Sequence, residues 1–568
     1  MSTDSTKLLA ATHAPNYGSA QEAETGATSI QDRAVPETEY PGPLKLIPLS
    51  IAMGLAIFIL GLDNTIVGTA TPTITNEFHS LTGIGWYGSA YRVTTCSTQF
   101  FYGKLYEQFR VKWIFVASVI ILELGSIVCA SAPTSTAFII GRAIAGSGAS
   151  GIVTGVFIYI TFGPAALEAY LQQHGRGSRV RCDDGSPGGW GRPDDLCELA
   201  MVVSGFRIAP EKTVHSLQTP LWEPSFWLNL PIGAFTIVII MLLFKNPENQ
   251  TIAKCSTVTK LRQLNIPNLF IFTASVVCLL MALEWGGTTY SWSSGRIIAL
   301  LVVSGALFAG FVGLEAAQKD LATIPTSVVF NKTAGLCLLY AFGASAAFNV
   351  VDYFLPIWFQ AIKGASAAES GQMLLPSIIS LSVAAFSSGF IVSAIGYYTP
   401  HMLIGSPLMG IGSGLLTTLT PTSGPAAWIG WQVIFGLGMG FAITQPWSAI
   451  QTALAAKEVP LGMSAVSFAI SIGAALSTSI SQNVFANLLR RGLRDIPGVD
   501  ADALIRQGAT ELLKAVPETE KAQVLDVYNF ALTSTFWVCV TLVSLGMLAA
   551  LCMDWNCVKS AEAAADDE

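Results

Sequence analysis

The sequence predicts an all-α protein that crosses a membrane many times. Of its 568 residues, 52% are hydrophobic and only 12% are charged, whereas soluble domains carry about 25% charged residues. The mean hydropathy is +0.54, and the apolar residues fall into runs of about 20, the length that an α-helix needs to cross a bilayer. This composition argues against a soluble globular domain and makes lipid the expected solvent.

Thirteen such runs are predicted to span the membrane. Glycine is abundant, with 52 residues, and recurs within these runs, as in GRAIAGSGASGIVTG at 141–155. Small residues let membrane helices approach closely, so the spans are expected to pack as a bundle. They lie near 48–69, 84–103, 113–131, 137–160, 226–244, 268–285, 297–315, 335–360, 371–395, 401–420, 426–450, 462–489 and 528–552.

The polar segments between and beyond the runs predict the domain organisation. The first residues are polar, with no apolar stretch typical of a signal peptide, and are predicted to be disordered. We predict a cytoplasmic tail at 1–43, an N-terminal helical half at 44–244 with an anomalous segment at 163–225, a linker with two extra spans at 245–334, a C-terminal half at 335–553 with an extracellular loop at 490–527, and a cytoplasmic tail at 554–568.

Basic residues in short loops predict the orientation, because such loops stay on the cytoplasmic side. Three short loops are basic, at 104–112, 245–267 and 316–334. The first two can both be cytoplasmic only if the chain crosses the membrane once within 161–225. The segment 163–225 has 14 charged residues among 63, about twice the share of the whole chain, and holds no apolar run of sufficient length. One span is therefore missing.

Short motifs in a fixed order identify a family resemblance. They are LDNTIVGTATPTI at 62–74, GKLYEQFRVKW at 103–113, GRAIAGSGASGI at 141–152, LNLPIG at 228–233, YFLPIWFQAIKGASAAESGQMLLP at 353–376 and WIGWQVIFGLGMGF at 428–441. Together they resemble the major facilitator superfamily, in its fourteen-span drug:proton antiporter branch of fungal toxin and drug exporters. The resemblance implies two six-helix halves plus two extra central helices.

The resemblance also defines what is missing. The fifth helix of that branch normally carries a Gly- and Pro-rich antiport motif, which should lie between 162 and 226, where this chain has only Gly163-Pro164. Two interpretations stay open: an unusual polar loop replaces the helix, or 163–225 is not native protein sequence, as a misread intron or a shifted reading frame would produce. We favour the second interpretation.

Three charged residues in the spans, Asp63, Arg142 and Glu123, are predicted to couple transport to protons, because a charged side chain within a membrane is a candidate functional residue by default. Asp63 occupies the acidic position of the first motif, and a carboxylate in a low dielectric holds a proton more tightly than in water. Arg142 matches the arginine of the fourth-helix motif and can change a neighbour's proton affinity. The alternatives are an Asp that caps a kink, and a static ion pair of Arg142 with Asp63 or Glu123.

The loop motif between the second and third spans is predicted to act as a gate. By resemblance, its residues form salt bridges that differ between the inward-facing and outward-facing states. The family usually has Asp at the position of Glu107 and a second Gly at that of Arg110. The same charges also serve as a topology signal. The predicted gating residues are Gly103, Glu107, Arg110 and Lys112.

A further set of residues is predicted to line a substrate cavity. Trp358 and Trp447 suit a flat hydrophobic molecule, although aromatic belts at the interface are commoner. Arg92 stands where the second helix should be apolar, so it either lines the cavity or snorkels to the interface. Amides within apolar runs can fix the orientation of a ligand. The candidates are Arg92, Trp358, Gln360, Gln432 and Gln445.

The resemblance implies a proton-coupled secondary transporter that exports a small hydrophobic molecule, such as a fungal secondary metabolite, toxin or drug. The chain lacks the phosphate-binding GxxxxGK[ST] loop of an ATP-driven pump, and its five His are scattered, so we expect no enzyme activity and no cofactor. We expect a monomer in the plasma membrane, or in a vacuolar or vesicle membrane, with lipid and substrate but no nucleic acid as partners. The alternatives are a transport-defective or non-transporting membrane protein, because the antiport motif is missing, and a facilitator-type importer.

Overall fold

The computed structural model describes residues 48–63, 74, 84–174, 226–244, 264–287, 290–318, 328, 330–455, 458–494, 496 and 520–556. Within 84–174, side chains are described for residues 86–159. Within these residues the secondary structure is helical apart from one isolated bridge between Gly286 and Tyr290. The predicted tail 1–43, most of the predicted tail 554–568, and residues 175–225 lie outside the described residues.

Fifteen helices are described in this part of the chain. They are α1 Pro48–Asp63, α2 Ile84–Gln108, α3 Val111–Ala130, α4 Ser135–His174, α5 Asn229–Leu243, α6 Ile266–Trp285, α7 Gly295–Ala317, α8 Lys332–Lys363, α9 Ala367–Gln372, α10 Leu375–Ile395, α11 Thr399–Leu416, α12 Pro425–Ile443, α13 Gln445–Ala453, α14 Val459–Leu493 and α15 Lys521–Leu551.

The predicted all-α membrane fold is confirmed. Every one of the thirteen predicted spans coincides with a helix, and the span at 426–450 coincides with the consecutive helices α12 and α13. By length and composition, nine helices of the described part can cross a membrane, and α1 and α5 are shorter apolar helices. The ends of α8, α14 and α15 extend past the predicted bounds, because apolar runs mark only the part of a helix that lies in lipid.

The fourth helix is longer than predicted. The apolar part that can cross a membrane, Ser135–Tyr159, agrees with the span predicted at 137–160, but α4 itself continues through Gly163-Pro164 to His174. The segment that follows, AALEAYLQQH, is rich in Ala, Leu, Glu and Gln, which are strong helix formers. At 1.5 Å per residue α4 is about 60 Å long, about twice the thickness of the hydrocarbon layer. Its end therefore extends beyond the lipid.

Close packing of α4 fixes the N-terminal half. A Cβ at Gly146 would meet the carbonyl of Tyr91 on α2, and a Cβ at Gly148 would meet the backbone of Leu122 on α3. Only glycine allows this approach of the helix backbones. As a result α4 lies directly against α2 and α3, which brings the charged residues of these helices within reach of one another.

The two extra helices, α6 and α7, form a pair that touches both halves. The Ser275 hydroxyl donates to the Ser304 carbonyl and the Ser304 hydroxyl donates to the Ser275 carbonyl, each at 2.9 Å. On the other side of α6, the ring of Phe272 lies 5.1 Å from that of Phe100 on α2 and 5.4 Å from that of Phe468 on α14. The pair thus covers the groove between α2 and α14.

Candidate functional site

A buried ion pair joins the two motif residues Asp63 and Arg142. Nη1 of Arg142 lies 2.6 Å from Oδ2 of Asp63, and the side chains are 1% and 0% exposed. Asp63 is the last residue of α1, and Arg142 projects from the first half of α4. Oδ1 of Asp63 has no hydrogen-bond partner within the described residues, so the carboxylate keeps one oxygen free to accept a proton.

Two tyrosines of α2 hold the guanidinium of Arg142 in place. Nε of Arg142 donates to the Tyr87 carbonyl at 3.0 Å, and the guanidinium carbon lies 4.5 Å from the centre of the Tyr91 ring. A cation over an aromatic face is stabilised by the ring quadrupole. Sequence reasoning missed both tyrosines, although their spacing of four residues places them on one helix face.

Glu123 of α3 is the third predicted proton-coupling residue, and it lies apart from the ion pair. It is 8% exposed, and neither carboxylate oxygen has a hydrogen-bond partner in the described part of the chain. Its carboxylate occupies the space that a side chain at Gly233 of α5 would fill. The glycine of the LNLPIG motif is therefore what allows Glu123 to be buried. The structure brings Asp63 and Arg142 together, whereas Glu123 has no such partner among the residues that the structure describes.

The charged residues of the predicted gate differ in their surroundings. Nζ of Lys104, a residue that is 5% exposed, lies 2.9 Å from Oε2 of Glu107. Lys112 donates to the carbonyls of Met241 and Phe244 at 2.8 and 2.9 Å, where a cation stabilises the carboxyl end of a helix. Arg110 is exposed. Lys112 thus ties α3 to α5, and Lys104 is a member of the cluster that the motif did not single out.

The two halves are in contact at the predicted cytoplasmic end. A Cβ at Gly103 of α2 would lie 2.5 Å from the Ser464 Oγ of α14. Nearby, the ring of Phe157 on α4 stacks on Trp447 of α13, with the centroids 3.4 Å apart and an angle of 7° between the planes. Trp447 was predicted to face a substrate, but in this conformation Phe157 covers one of its faces. These contacts join the two halves at that end.

Four of the predicted cavity residues lie within the C-terminal half. Trp358 is fully buried, and its Nε1 donates to Oδ1 of Asn529 at 2.7 Å. Gln360 donates to the Ser370 hydroxyl at 3.1 Å. Gln432 donates to the Met373 carbonyl at 3.1 Å, and Gln445 donates to the Ser388 hydroxyl at 2.8 Å. These contacts join helices of one half. Their role in binding a substrate stays a prediction.

Arg92 differs from the other four candidates because its side chain is exposed. Ser89, one turn earlier on α2, donates to Oε1 of Glu284 on α6 at 2.9 Å. The Tyr353 hydroxyl on α8 accepts a hydrogen bond of 3.2 Å from Nε2 of Gln482 on α14. Arg92 interacts electrostatically with both Glu284 and Tyr353. It therefore lies among polar groups from both halves.

An exposed ion pair at the predicted cytoplasmic end lies beyond the spans. Nζ of Lys332 lies 2.9 Å from Oδ1 of Asp554, with the side chains 62% and 53% exposed. The hydrogen bond from Lys332 and its positive charge lower the pKa of Asp554. Water screens such a pair, so it contributes little to stability. Asp554 is therefore a suitable control for changes at Asp63.

The described residues contain no group of three or more His, Cys, Asp or Glu side chains that could hold a metal ion. The charged side chains of the N-terminal half can form and break ion pairs and can carry protons.

Comparison with known proteins gives relatives along almost the whole chain. A family profile described as Major Facilitator Superfamily matches residues 53–162. The MFS-type efflux pump MFS1 of Arthroderma benhamiae is 38% identical over 545 residues, which cover 94% of this chain and 96% of the relative. The aspyridones efflux protein of Neocamarosporium betae is 39% identical over 529 residues, which cover 92% of this chain and 89% of the relative.

A solved structure has the same fold at low sequence identity. The structure of XylE, described as an MFS proton:xylose symporter bound to 6-bromo-6-deoxy-D-glucose, is similar with a TM-score of 0.53 and 13% identity. The match covers 92% of this chain and 99% of that chain. At this identity the likeness concerns the fold alone.

Proposed function

This chain belongs to the major facilitator superfamily, and on that premise we propose that it is a secondary transporter that exports a small hydrophobic molecule in exchange for protons. The molecule is of the class of fungal secondary metabolites, toxins or drugs. The relatives named as efflux pumps along the whole chain support export rather than import. The protein acts as a monomer in the plasma membrane, without enzymatic chemistry and without a bound cofactor.

The ion pair between Asp63 and Arg142 is the observation that carries the proton coupling. Its two charges are held 2.6 Å apart with almost no exposure. When a proton binds to Asp63, the carboxylate loses its charge and Arg142 loses its partner, and an unpaired buried charge costs about 3–5 kcal/mol. Protonation therefore favours a conformation in which Arg142 gains another partner or water. This links a proton to a change of shape.

The contacts between the two halves indicate which end of the transporter has to open. The halves touch at the predicted cytoplasmic end through Gly103 and Ser464 and through Phe157 and Trp447. A transporter alternates by rocking one half against the other around a site near the membrane midplane. The exported molecule enters from the predicted cytoplasmic end when these contacts open, and proton binding drives the return to the conformation that is closed at this end.

The test is dye efflux by the full chain in yeast cells that lack their own drug pumps. We expect the protein to export rhodamine 6G or fluorescein, and the efflux to stop when an ionophore collapses the proton gradient. Asp63→Asn abolishes the proton-driven efflux, whereas Asp554→Asn, which changes an exposed carboxylate, leaves it intact. Surface expression is measured for each variant.

A second variant covers the case in which Asp63→Asn fails to fold, because that change leaves the buried charge of Arg142 unpaired. The double variant Asp63→Asn/Arg142→Gln removes both charges and has no uncompensated ion. It is expected to reach the membrane and to lack proton-driven efflux. Efflux at the wild-type rate by either variant would contradict the proposal. A wild-type chain that exports neither dye would support the non-transporting alternative.

A further inference from the structure

The face of α2 that carries Arg92 points towards the C-terminal half. Arg92 and Gly103 are eleven residues apart, which is three helical turns with a difference of only about 20° around the helix axis and about 16 Å along it. Gly103 touches Ser464 on α14 of the other half. Arg92 therefore faces the same partner half, but closer to the outer end.

Neighbouring positions on α2 confirm this direction. Val93, Cys96 and Phe100 belong to the apolar cluster shared with α6, whereas Thr95 and Thr98 bond to the backbone of Gly146 and the hydroxyl of Ser150 on α4. Arg92 lies between these two stripes, on the face that neither α6 nor α4 covers. At Gly103 this face is closed by the other half, and at Arg92 it is open.

Polar side chains surround the open position. The Tyr353 hydroxyl and the Gln482 amide come from the C-terminal half, 3.2 Å from each other, and the Tyr353 side chain is 39% exposed. On the N-terminal side, Glu284 accepts from Ser89. A few convergent polar groups among apolar helices are typical of a site for a small molecule.

The charge of Arg92 is not neutralised by a direct contact. No ion pair or hydrogen bond joins its guanidinium to the described residues, and Glu284 is already engaged with Ser89. A cation at membrane depth is costly and is expected to have an anionic partner. A guanidinium also matches a carboxylate with two parallel hydrogen bonds. Glu284 balances part of this charge at longer range, but the guanidinium donors of Arg92 are left for an acidic group of matching shape.

We propose that Arg92 binds an acidic group of the exported molecule, a carboxylate or an ionised phenol, with Tyr353 and Gln482 as further polar contacts. This rests on the proposed export function and adds the substrate class: molecules with an apolar body and one anionic group. Export of uncharged or cationic molecules does not need Arg92.

The test compares two dyes that share the xanthene ring system, fluorescein as the anion and rhodamine 6G as the cation. Efflux of each is measured for the wild type, Arg92→Gln and Arg92→Lys at equal surface expression. We expect Arg92→Gln to lower fluorescein efflux at least tenfold through a higher KM and to leave rhodamine 6G efflux within twofold of the wild type. Arg92→Lys keeps part of the fluorescein efflux.

Other outcomes overturn the inference in different ways. Equal loss of both dyes in Arg92→Gln would make Arg92 a structural or gating residue. If the wild type exports rhodamine 6G but not fluorescein, the anion site is refuted while the export function stands. If the wild type exports neither dye, the proposed function itself fails. Binding of fluorescein to the purified full chain, followed by its fluorescence anisotropy, provides a second measurement that needs no transport.

Discussion

At the scale of single residues, the N-terminal half contains two kinds of buried charged residue, with and without an ion-pair partner among the described residues. Asp63 and Arg142 neutralise each other at 2.6 Å, whereas Glu123 is also buried but its carboxylate oxygens have no partner within the described residues. The carboxylate fits there because Gly233, on another helix, has no side chain. The position of Glu123 therefore depends on a glycine that is 110 residues away in the sequence.

Gly233→Ala tests this arrangement. The added Cβ would overlap the Glu123 carboxylate, so either this buried side chain leaves its position or α3 and α5 move apart, and overpacking of this kind costs about 1–3 kcal/mol. We expect a lower melting temperature of the purified protein in detergent, measured by intrinsic fluorescence.

The matched control is the same change in a Glu123→Ala background, where the overlapping atoms are absent. There the loss of melting temperature on Gly233→Ala should largely disappear, because the two changes are coupled through one contact. Equal losses in both backgrounds would show that Gly233 is required for another reason. Glu123→Gln, which keeps the shape, should retain the wild-type stability.

At the scale of the helices, the contact between α4 and α13 decides how firmly the predicted cytoplasmic end is closed. The stacked rings of Phe157 and Trp447 are 8% and 5% exposed. They belong to different halves, so the stack exists only while the halves are together at this end. A contact made in one state alone shifts the equilibrium between the states.

Phe157→Ala is expected to favour the conformation that is open at this end. Aromatic pairs contribute about 0.5–1.5 kcal/mol beyond their buried area, which corresponds to a change of about 2- to 12-fold in the ratio of the two states. The measurement is the distance distribution between spin labels at Trp113 and Phe330, two exposed positions at the predicted cytoplasmic ends of the two halves. Cys552, which is exposed, and the cysteines of the polar segments, Cys182, Cys197, Cys255 and Cys557, are replaced by serine beforehand.

Two controls separate this effect from a general loss of stability. Phe157→Leu keeps an apolar side chain without a ring to stack and should give a smaller shift. Phe138→Ala removes a buried ring whose partners, Tyr87 and Phe226, belong to the N-terminal half. It should lower the melting temperature and leave the distances unchanged. A shift of the same size for Phe138→Ala would remove the special role of the stack.

At the scale of the whole molecule, the sequence predicts the helices better than their contacts. An apolar run is a local property, so the thirteen spans could be read directly, and the pairing of Asp63 with Arg142 was among the alternatives. The extension of α4 to His174 depends on helix propensity outside lipid, which the apolar criterion does not measure. Trp358 is packed within one half, and its predicted place at a cavity stays a prediction, because core and cavity have the same apolar pattern in a membrane protein.

Contacts between helices depend on rotation about each helix axis, which a single sequence does not determine. The cover of Glu123 by Gly233 and the stack of Phe157 on Trp447 therefore emerge only in three dimensions. The same holds for Arg92. The contact of Gly103 with Ser464 shows that the face of α2 that carries Arg92 points towards the C-terminal half. A sequence motif can therefore identify a candidate functional residue, but the fold is needed to show which surface the residue contacts.

The contact between Gly103 and Ser464 is expected to decide how far the two halves close. A Cβ at Gly103 would lie 2.5 Å from Oγ and 2.8 Å from Cβ of Ser464, so Gly103→Ala prevents full closure at the predicted cytoplasmic end. We expect reduced dye efflux and longer distances between labels at Trp113 and Phe330. Ser464→Gly removes both obstructing atoms, so Gly103→Ala/Ser464→Gly should recover the shorter distances and much of the efflux. Failure of this rescue, with both variants well expressed, would mean that Gly103 acts within its own half and that the halves do not close through this contact.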